Sequence, residues 1–267
     1  MYLEKFFGAA PSPHPCKACG SDDTLDFDVR MAFQPIVDAR DRSIFGYEAL
    51  VRTEDGGVAA EVIARVTPAQ LYRFDQTCRV KAIETAARLG LQQRLSINFF
   101  PNAVYEPATC IRLTLTAAQM FGFPTDKLIF ETAESEQVRD HEHLTRIFRD
   151  YRNRGFLTAI DDFGAGYAGL KLLADFQPDL LKLDIALIRG IDTDPVRTAI
   201  VRGVVQIADA IGCTLLAEGV ETEAEYRRLR ALGVPLFQGY LFGRPQLERL
   251  DTVPDPLWDQ LERPLDA

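Results

Sequence analysis

The chain has 267 residues, 47% hydrophobic and 26% charged, which is the balance of a globular protein with ample core and excludes extensive disorder. Its formal net charge of −9 repels nucleic-acid backbones over long range and argues against polymeric DNA or RNA as a partner. A small phosphate ester stays possible if metals mediate the contact. The length exceeds that of one ordinary domain and suits an α/β barrel, which needs about 250 residues to close.

The amino terminus, Met1-Tyr2-Leu3-Glu4-Lys5-Phe6-Phe7, lacks a basic segment followed by a long apolar run, and no stretch reaches about 18 apolar residues. The expectation is a cytoplasmic protein with no membrane partner. Residues 1–26, with Pro11, Pro13, Pro15 and Gly20, show no sustained period and read as a flexible arm, leaving 27–267 as one domain. Five cysteines are an odd number, and Cys78, Cys110 and Cys213 fall in apparent core elements, so reduced thiols are expected. Cys16 and Cys19 beside His14 have the spacing of half a zinc knuckle, but no second pair follows; incidental spacing is the favoured account.

Val29 to Val37 and Ser43 to Val51 read as strands joined by too few residues for a crossover helix, so they should pair antiparallel. The segment from Ala69 to Leu89 sets Leu71, Phe74, Cys78, Ala82, Ala86 and Leu89 at steps of three and four, which predicts a helix with a core-facing stripe. Gly90 follows it as a C-cap, and Gly155, Gly212 and Gly233 repeat that punctuation before further apolar runs. Asp194-Pro195 predicts the start of a helix reaching Ile211. Helices and strands in alternation indicate parallel βα units.

Polar groups close the apolar runs one after another: Glu48, Asn98, Glu131, the pair Asp161-Asp162, Lys182, Glu218 and Gln238. Paired aspartates after a strand are often helix N-caps, but functional groups at so many successive strand ends favour a barrel, which converges them on one mouth, over an open sheet with one switch point. No G-x-G-x-x-G turn opens the first unit. Adjacent carboxylates with no basic neighbour call for a divalent cation, and such ions suit phosphate chemistry.

Glu48-Ala49-Leu50 stands in order with Phe33-Gln34-Pro35-Ile36, Asn98, Glu131-Thr132-Ala133-Glu134, Asp161-Asp162-Phe163-Gly164-Ala165-Gly166-Tyr167, Lys182-Leu183-Asp184, Glu218-Gly219-Val220-Glu221 and Gln238-Gly239-Tyr240. From Arg30 to about Leu250 the chain resembles the EAL-domain family of cyclic di-GMP phosphodiesterases. The resemblance implies a modified (β/α)8 barrel with an antiparallel first strand, two divalent ions (Mg2+ or Mn2+) and hydrolysis of cyclic di-GMP to linear 5′-pGpG. By the same resemblance Glu48, Asn98, Glu131 and Asp161 would hold one ion, and Asp161, Asp162 and Glu218 the other. Oxygen ligands agree with these ions rather than zinc. Glu48 and Glu218 would be catalytic with Lys182, which would orient or help deprotonate the attacking water; Glu218 is its rival as general base. Arg52 resembles the arginine that contacts a substrate phosphate, and Gln34 and Gln238 resemble side chains touching substrate or bound water. Glu134 and Glu221 would support the ligands from behind.

The resemblance also implies a homodimer, while any regulatory protein partner stays unnamed. One departure stands out: Ala168-Gly169 follows Tyr167 where the family commonly has two serines, so a hydroxyl that could receive Glu134 is missing. Main-chain donors at Gly164 to Gly166 can replace it, and activity is expected to persist. The alternative function is a non-catalytic receptor for cyclic di-GMP, or a protein-docking module.

Overall fold

The computed structural model describes residues 2–3, 24–133, 141–166 and 169–263. The Cys16/Cys19 pair, most of the expected arm, Glu134, and Tyr167 with Ala168 lie outside the described residues. Strand β1 (Arg30–Asp38) turns directly into β2 (Ser43–Arg52), and the antiparallel register sets Gln34 opposite Glu48. In chain order there follow α1 (Ala59–Ile63), α2 (Leu71–Arg88), β3 (Arg94–Asn98), α3 (Pro107–Cys110), α4 (Arg112–Phe121), β4 (Leu128–Ala133) and α5 (His141–Asn153). The second half holds β5 (Leu157–Phe163), α6 (Gly169–Asp175), β6 (Leu180–Leu183), α7 (Ile185–Ile188), α8 (Pro195–Ile211), β7 (Thr214–Ala217), α9 (Glu223–Leu232), β8 (Leu236–Gln238), β9 (Gln246–Leu247) and α10 (Asp255–Glu262).

Among the described residues, β2 through β8 pair in parallel succession, and β1 pairs antiparallel with both β2 and β8 to close the barrel. This is the modified (β/α)8 barrel with an antiparallel first strand that the resemblance implied and with which the opening hairpin agrees. Helix starts follow the sequence closely: Asp194 accepts from the amides of Val196 and Arg197, with Pro195 at the first turn of α8. Thr222 and Glu225 form a capping box at the head of α9. Gly90, Gly155, Gly212 and Gly233 all take positive φ, as a left-handed C-cap demands.

Strand periodicity divides the apolar residues between two cores. Inward-facing Ile36, Ile129, Ala159, Leu180, Leu216 and Leu236 form a layer that plugs the barrel, while outward-facing Phe33, Phe130, Leu181 and Phe237 join the larger core beneath the helices. Each of these leucine, isoleucine and phenylalanine side chains, fully buried, contributes about 1.5–3 kcal/mol. Helix α2 departs from the stripe expected of it. Phe74, Ala82 and Ala86 are buried, but Leu71, Cys78 and Leu89 are only half-buried, and Asp75, Gln76, Arg79, Val80 and Ile83 are buried as well. The helix lies between the barrel and α4, so more than one face is covered, and the buried charges of Asp75 and Arg79 offset each other as an ion pair.

Candidate metal centre

One step of the strand period above the apolar plug, the inward positions turn polar. Ile36 gives way to Gln34 on the reversed strand β1, Ile129 to Glu131, Ala159 to Asp161, Leu180 to Lys182, Leu216 to Glu218 and Leu236 to Gln238. Register completes the ring, since Glu48 lies opposite Gln34 and Asn98 opposite Glu131. The strands therefore deliver the predicted acids to one floor at the carboxyl-terminal mouth of the parallel strands.

Lys182 occupies the middle of this floor. Its Nζ lies 2.7 Å from Glu218, 3.0 Å from Asp161, 3.1 Å from Glu131 and 3.9 Å from Glu48. Asn98 donates through Nδ2 to both Glu48 Oε1 and Glu131 Oε1 at 2.9 Å. Ser96 Oγ donates to Glu131 Oε2 at 2.7 Å, a contact missed in the sequence although Ser96 stands two residues before Asn98 on the same strand face. Gln238 Nε2 donates to Glu48 Oε2 at 2.7 Å and to Gln34 Oε1 at 3.2 Å, and Gln34 Nε2 donates to the Gly243 carbonyl.

Electrostatics in this floor favour protons or cations. Burial pushes the Glu131 and Glu218 carboxyls well above the usual carboxylate range, against the pull of Lys182. Burial works the same way on Asp161, but Lys182 and a hydrogen bond shared with Glu218 outweigh it and hold this carboxyl low. Burial, followed by the charges of Asp161 and Asp184, pushes Asp162 up to about 6. Lys182 loses stability to burial yet ends far above its ordinary value because Asp161, Glu131, Glu218 and Glu48 surround it. Five ionised carboxylates against a single ammonium would leave a large negative surplus, which protons or cations must offset. Glu48, Glu131 and Asp161 bring oxygens within 4.8 Å of one another, and so do Asp161, Asp162 and Glu218. These all-oxygen triads, joined through Asp161, fit hard divalent cations.

Local backbone fixes the second triad. Asp162 adopts φ 54°, a left-handed conformation that aspartate tolerates, and its amide donates to Asp161 Oδ1 at 2.8 Å. Strands β5 and β6 shift register between Ile160 and Phe163, so the two adjacent aspartates do not alternate across the sheet as regular strand residues would. Leu187 and Ile185 of α7 occupy the places where Gly164 and Gly219 would carry a Cβ, and this close packing positions the loops behind Asp161-Asp162 and Glu218.

A hollow of about 340 Å³ adjoins the floor, bounded by Glu48, Asn98 and Asp161 and walled by apolar groups that include Met31, Ile63 and Phe100. Arg52 is half-buried near Glu48 and Tyr240; burial lowers its pKa, and among the described residues it forms no ion pair, donating instead to the Val51 carbonyl. Exposed Tyr240 lies under the Arg244 guanidinium at 3.9 Å. Glu221 stands apart from the floor, paired with Arg189 at 2.9 Å toward solvent.

The EAL domain family matches residues 24–245. The chain belongs to the EAL-domain family. It is 51% identical to a standalone EAL protein from Vibrio cholerae O395 solved in its c-di-GMP-bound form, with a TM-score of 0.85 over 88% of this chain and 99% of that one. Klebsiella pneumoniae BlrP1, solved as a manganese/cy-diGMP complex at pH 9.0, is 34% identical with a TM-score of 0.80, covering 87% of this chain and 60% of BlrP1. RocR of Pseudomonas aeruginosa, a cyclic di-GMP phosphodiesterase, is 34% identical over 167 residues, 61% of this chain and 41% of RocR. The chain spans about half the length of the curated relatives it matches. Among the described residues, no helix of this EAL domain is long and apolar enough to cross a membrane.

Proposed function

We propose that this EAL domain hydrolyses cyclic di-GMP to linear 5′-pGpG with two divalent ions, Mg2+ or Mn2+. The observation that carries the reading is Asp161, whose carboxylate belongs to both triads of a floor that gathers Glu48, Glu131, Asp161, Asp162 and Glu218. Glu48, Asn98, Glu131 and Asp161 would hold one ion; Asp161, Asp162 and Glu218 would hold the other. Asn98 spends its amide nitrogen on Glu48 and Glu131, which leaves its carbonyl oxygen to offer a cation. Bound there, divalent ions lower the pKa of a coordinated water and offset charge gathering on the phosphoryl oxygens. The manganese complex of BlrP1 and the bound forms of the relatives support this choice of ion and substrate.

The chain's own groups divide the remaining work. Lys182, kept as an ammonium by its four acids, donates to and orients the attacking water, so Glu218 is the stronger of the two candidates for general base. Arg52 faces no carboxylate partner and serves a phosphate; Gln34 and Gln238 hold Glu48 in place and border the substrate. The apolar hollow beside Glu48 suits the flat face of a base. Glu221, through Arg189, and Glu134 steady the loops behind the second triad. Residues 27–267 act as the catalytic unit in the cytoplasm and 1–26 as an arm. A homodimer completes the proposal, supported by Val196, Ile200 and Ile207, which expose one apolar face of α8.

Purified protein incubated with cyclic di-GMP and Mg2+ or Mn2+, with products resolved by chromatography, tests the reading. Accumulation of pGpG that chelator abolishes is the expected result. Tight nucleotide binding without pGpG would replace the enzyme by a receptor; absence of binding would leave a protein-docking module.

A further inference from the structure

Outside the barrel wall, directly behind the ends of β3 and β4, lies a fully buried ion pair that the chemistry above does not use. Asp75 and Arg79 stand one turn apart on α2, and Arg79 Nε lies 2.8 Å from Asp75 Oδ2, both side chains at 0% exposure. Removing two charges from water is costly, so a pair placed this deep calls for a reason beyond packing. Its contacts supply one. Asp75 Oδ1 accepts from the main-chain amide of Phe100 at 2.9 Å, two residues past Asn98. Arg79 Nη1 donates to the Tyr151 hydroxyl of α5 at 2.8 Å, and its guanidinium faces the rings of Phe99 and Phe130 at 5.4 and 5.3 Å. Phe99 directly follows Asn98 and Phe130 directly precedes Glu131. Phe99 N in turn donates to the Glu131 carbonyl at 2.9 Å.

We infer that Asp75 and Arg79 are positioning residues for the first ion: the pair fixes the outward-facing neighbours of Asn98 and Glu131 and thereby aims those two ligands inward. This inference rests on the metal reading proposed above. Strand alternation makes the coupling direct, because a residue's neighbours point to the opposite face, and rotating Phe99 or Phe130 turns the adjacent ligand. The other triad, Asp161, Asp162 and Glu218, is carried by β5 and the end of β7 and packed by α7, and among the described residues no hydrogen bond or ion pair joins it to Asp75 or Arg79. The two ion sites should therefore respond differently to its loss.

The test is Mn2+ titration of the metal-free protein, followed by electron paramagnetic resonance and calorimetry, with melting temperature measured in parallel. Asp75→Asn can accept from Phe100 or face Arg79 with its carbonyl, but not do both well, and Tyr151→Phe removes one tether while keeping the ring. Both variants should weaken one of two Mn2+ sites, Asp75→Asn by about tenfold or more, the scale of outer contacts that orient metal ligands. The second site should change less than about twofold, the independence expected of groups that share no contacts. Val201→Ala, which trims the buried face of α8 away from β3 and β4, should lower the melting temperature and leave both affinities intact. Wild-type protein that binds two Mn2+ ions while Asp75→Asn and Tyr151→Phe bind them equally well would overturn the inference alone. Equal weakening of both sites, or equal weakening by Val201→Ala, would reduce the pair to a stability role. Wild-type protein that binds no Mn2+ would overturn the metal reading and the inference with it.

Discussion

Replacing Lys182 by methionine tests the electrostatic account of the floor most directly. The substitution keeps a long apolar stem and removes the ammonium that lies 2.7, 3.0 and 3.1 Å from Glu218, Asp161 and Glu131. Breaking a buried ion pair by deleting one partner costs about 3–5 kcal/mol, because the remaining charge is left uncompensated. At about 2–4 °C per kcal/mol for a domain approaching this size, the metal-free variant should melt at least about 6 °C below the wild type at pH 8. Two further readings sharpen the test. The surrounding Glu131 and Glu218 carboxyls are already raised by burial, and losing Lys182 raises them further. A carboxyl whose folded pKa lies above its unfolded value stabilises the fold in its protonated form and loses that contribution as pH rises through the folded pKa, so the gap between variant and wild type should shrink from pH 8 to pH 5. Millimolar Mg2+ or Mn2+ should also narrow the gap, since cations replace the missing charge. Differential scanning fluorimetry across pH and metal concentration reads all three. A metal-free variant that melts with the wild type at pH 8, or a gap that widens toward pH 5, would refute the argument.

Asp161→Asn should abolish binding of both ions and Asp162→Asn chiefly one, as counted by metal stoichiometry; equal losses would contradict the bridging place of Asp161. With its pKa at about 6, Asp162 should make metal affinity fall as pH drops below about 6, by up to a decade per pH unit, because proton and cation compete for one carboxylate. In metal-free protein the same group should make stability decline as pH rises from about 4 to 6, and Asp162→Asn should remove that slope. Gly239→Ala should destabilise the fold by about 3 kcal/mol or more and disturb Gln238, because a Cβ there would overlap the main chain of Val220. Glu134→Ala should lower turnover, and unchanged turnover and metal affinity would remove its role in holding the loop after Asp162.

Much of the site was legible because its grammar is local. Each polar group of the floor ends or nearly ends an apolar run, and a strand's two-residue period lifts it one layer above the plug, as Ile129 to Glu131 and Leu180 to Lys182 illustrate. Helix boundaries were equally open to reading where the capping chemistry is contiguous, as at Asp194-Pro195 and Gly212. Helix α2 shows where such reading stops. Leu71, Cys78 and Leu89 have the spacing of a buried stripe, yet Arg79 is the residue that disappears completely, since its partners come from α2 itself, α5 and the segment after β3.

Residue order alone determined the opening hairpin, the alternation of helix and strand, and the identity of the acids at the mouth, since each depends on neighbours a few positions away. Tertiary structure decided which acids bring their oxygens together, that Lys182 stands among four of them, that Glu221 turns outward to Arg189, and that α7 packs into the gaps at Gly164 and Gly219. The reason is closure of the barrel. Distances among Glu48, Glu131, Asp161 and Glu218 depend on strand register and tilt around the whole ring, a property of all the strands together that no single segment carries.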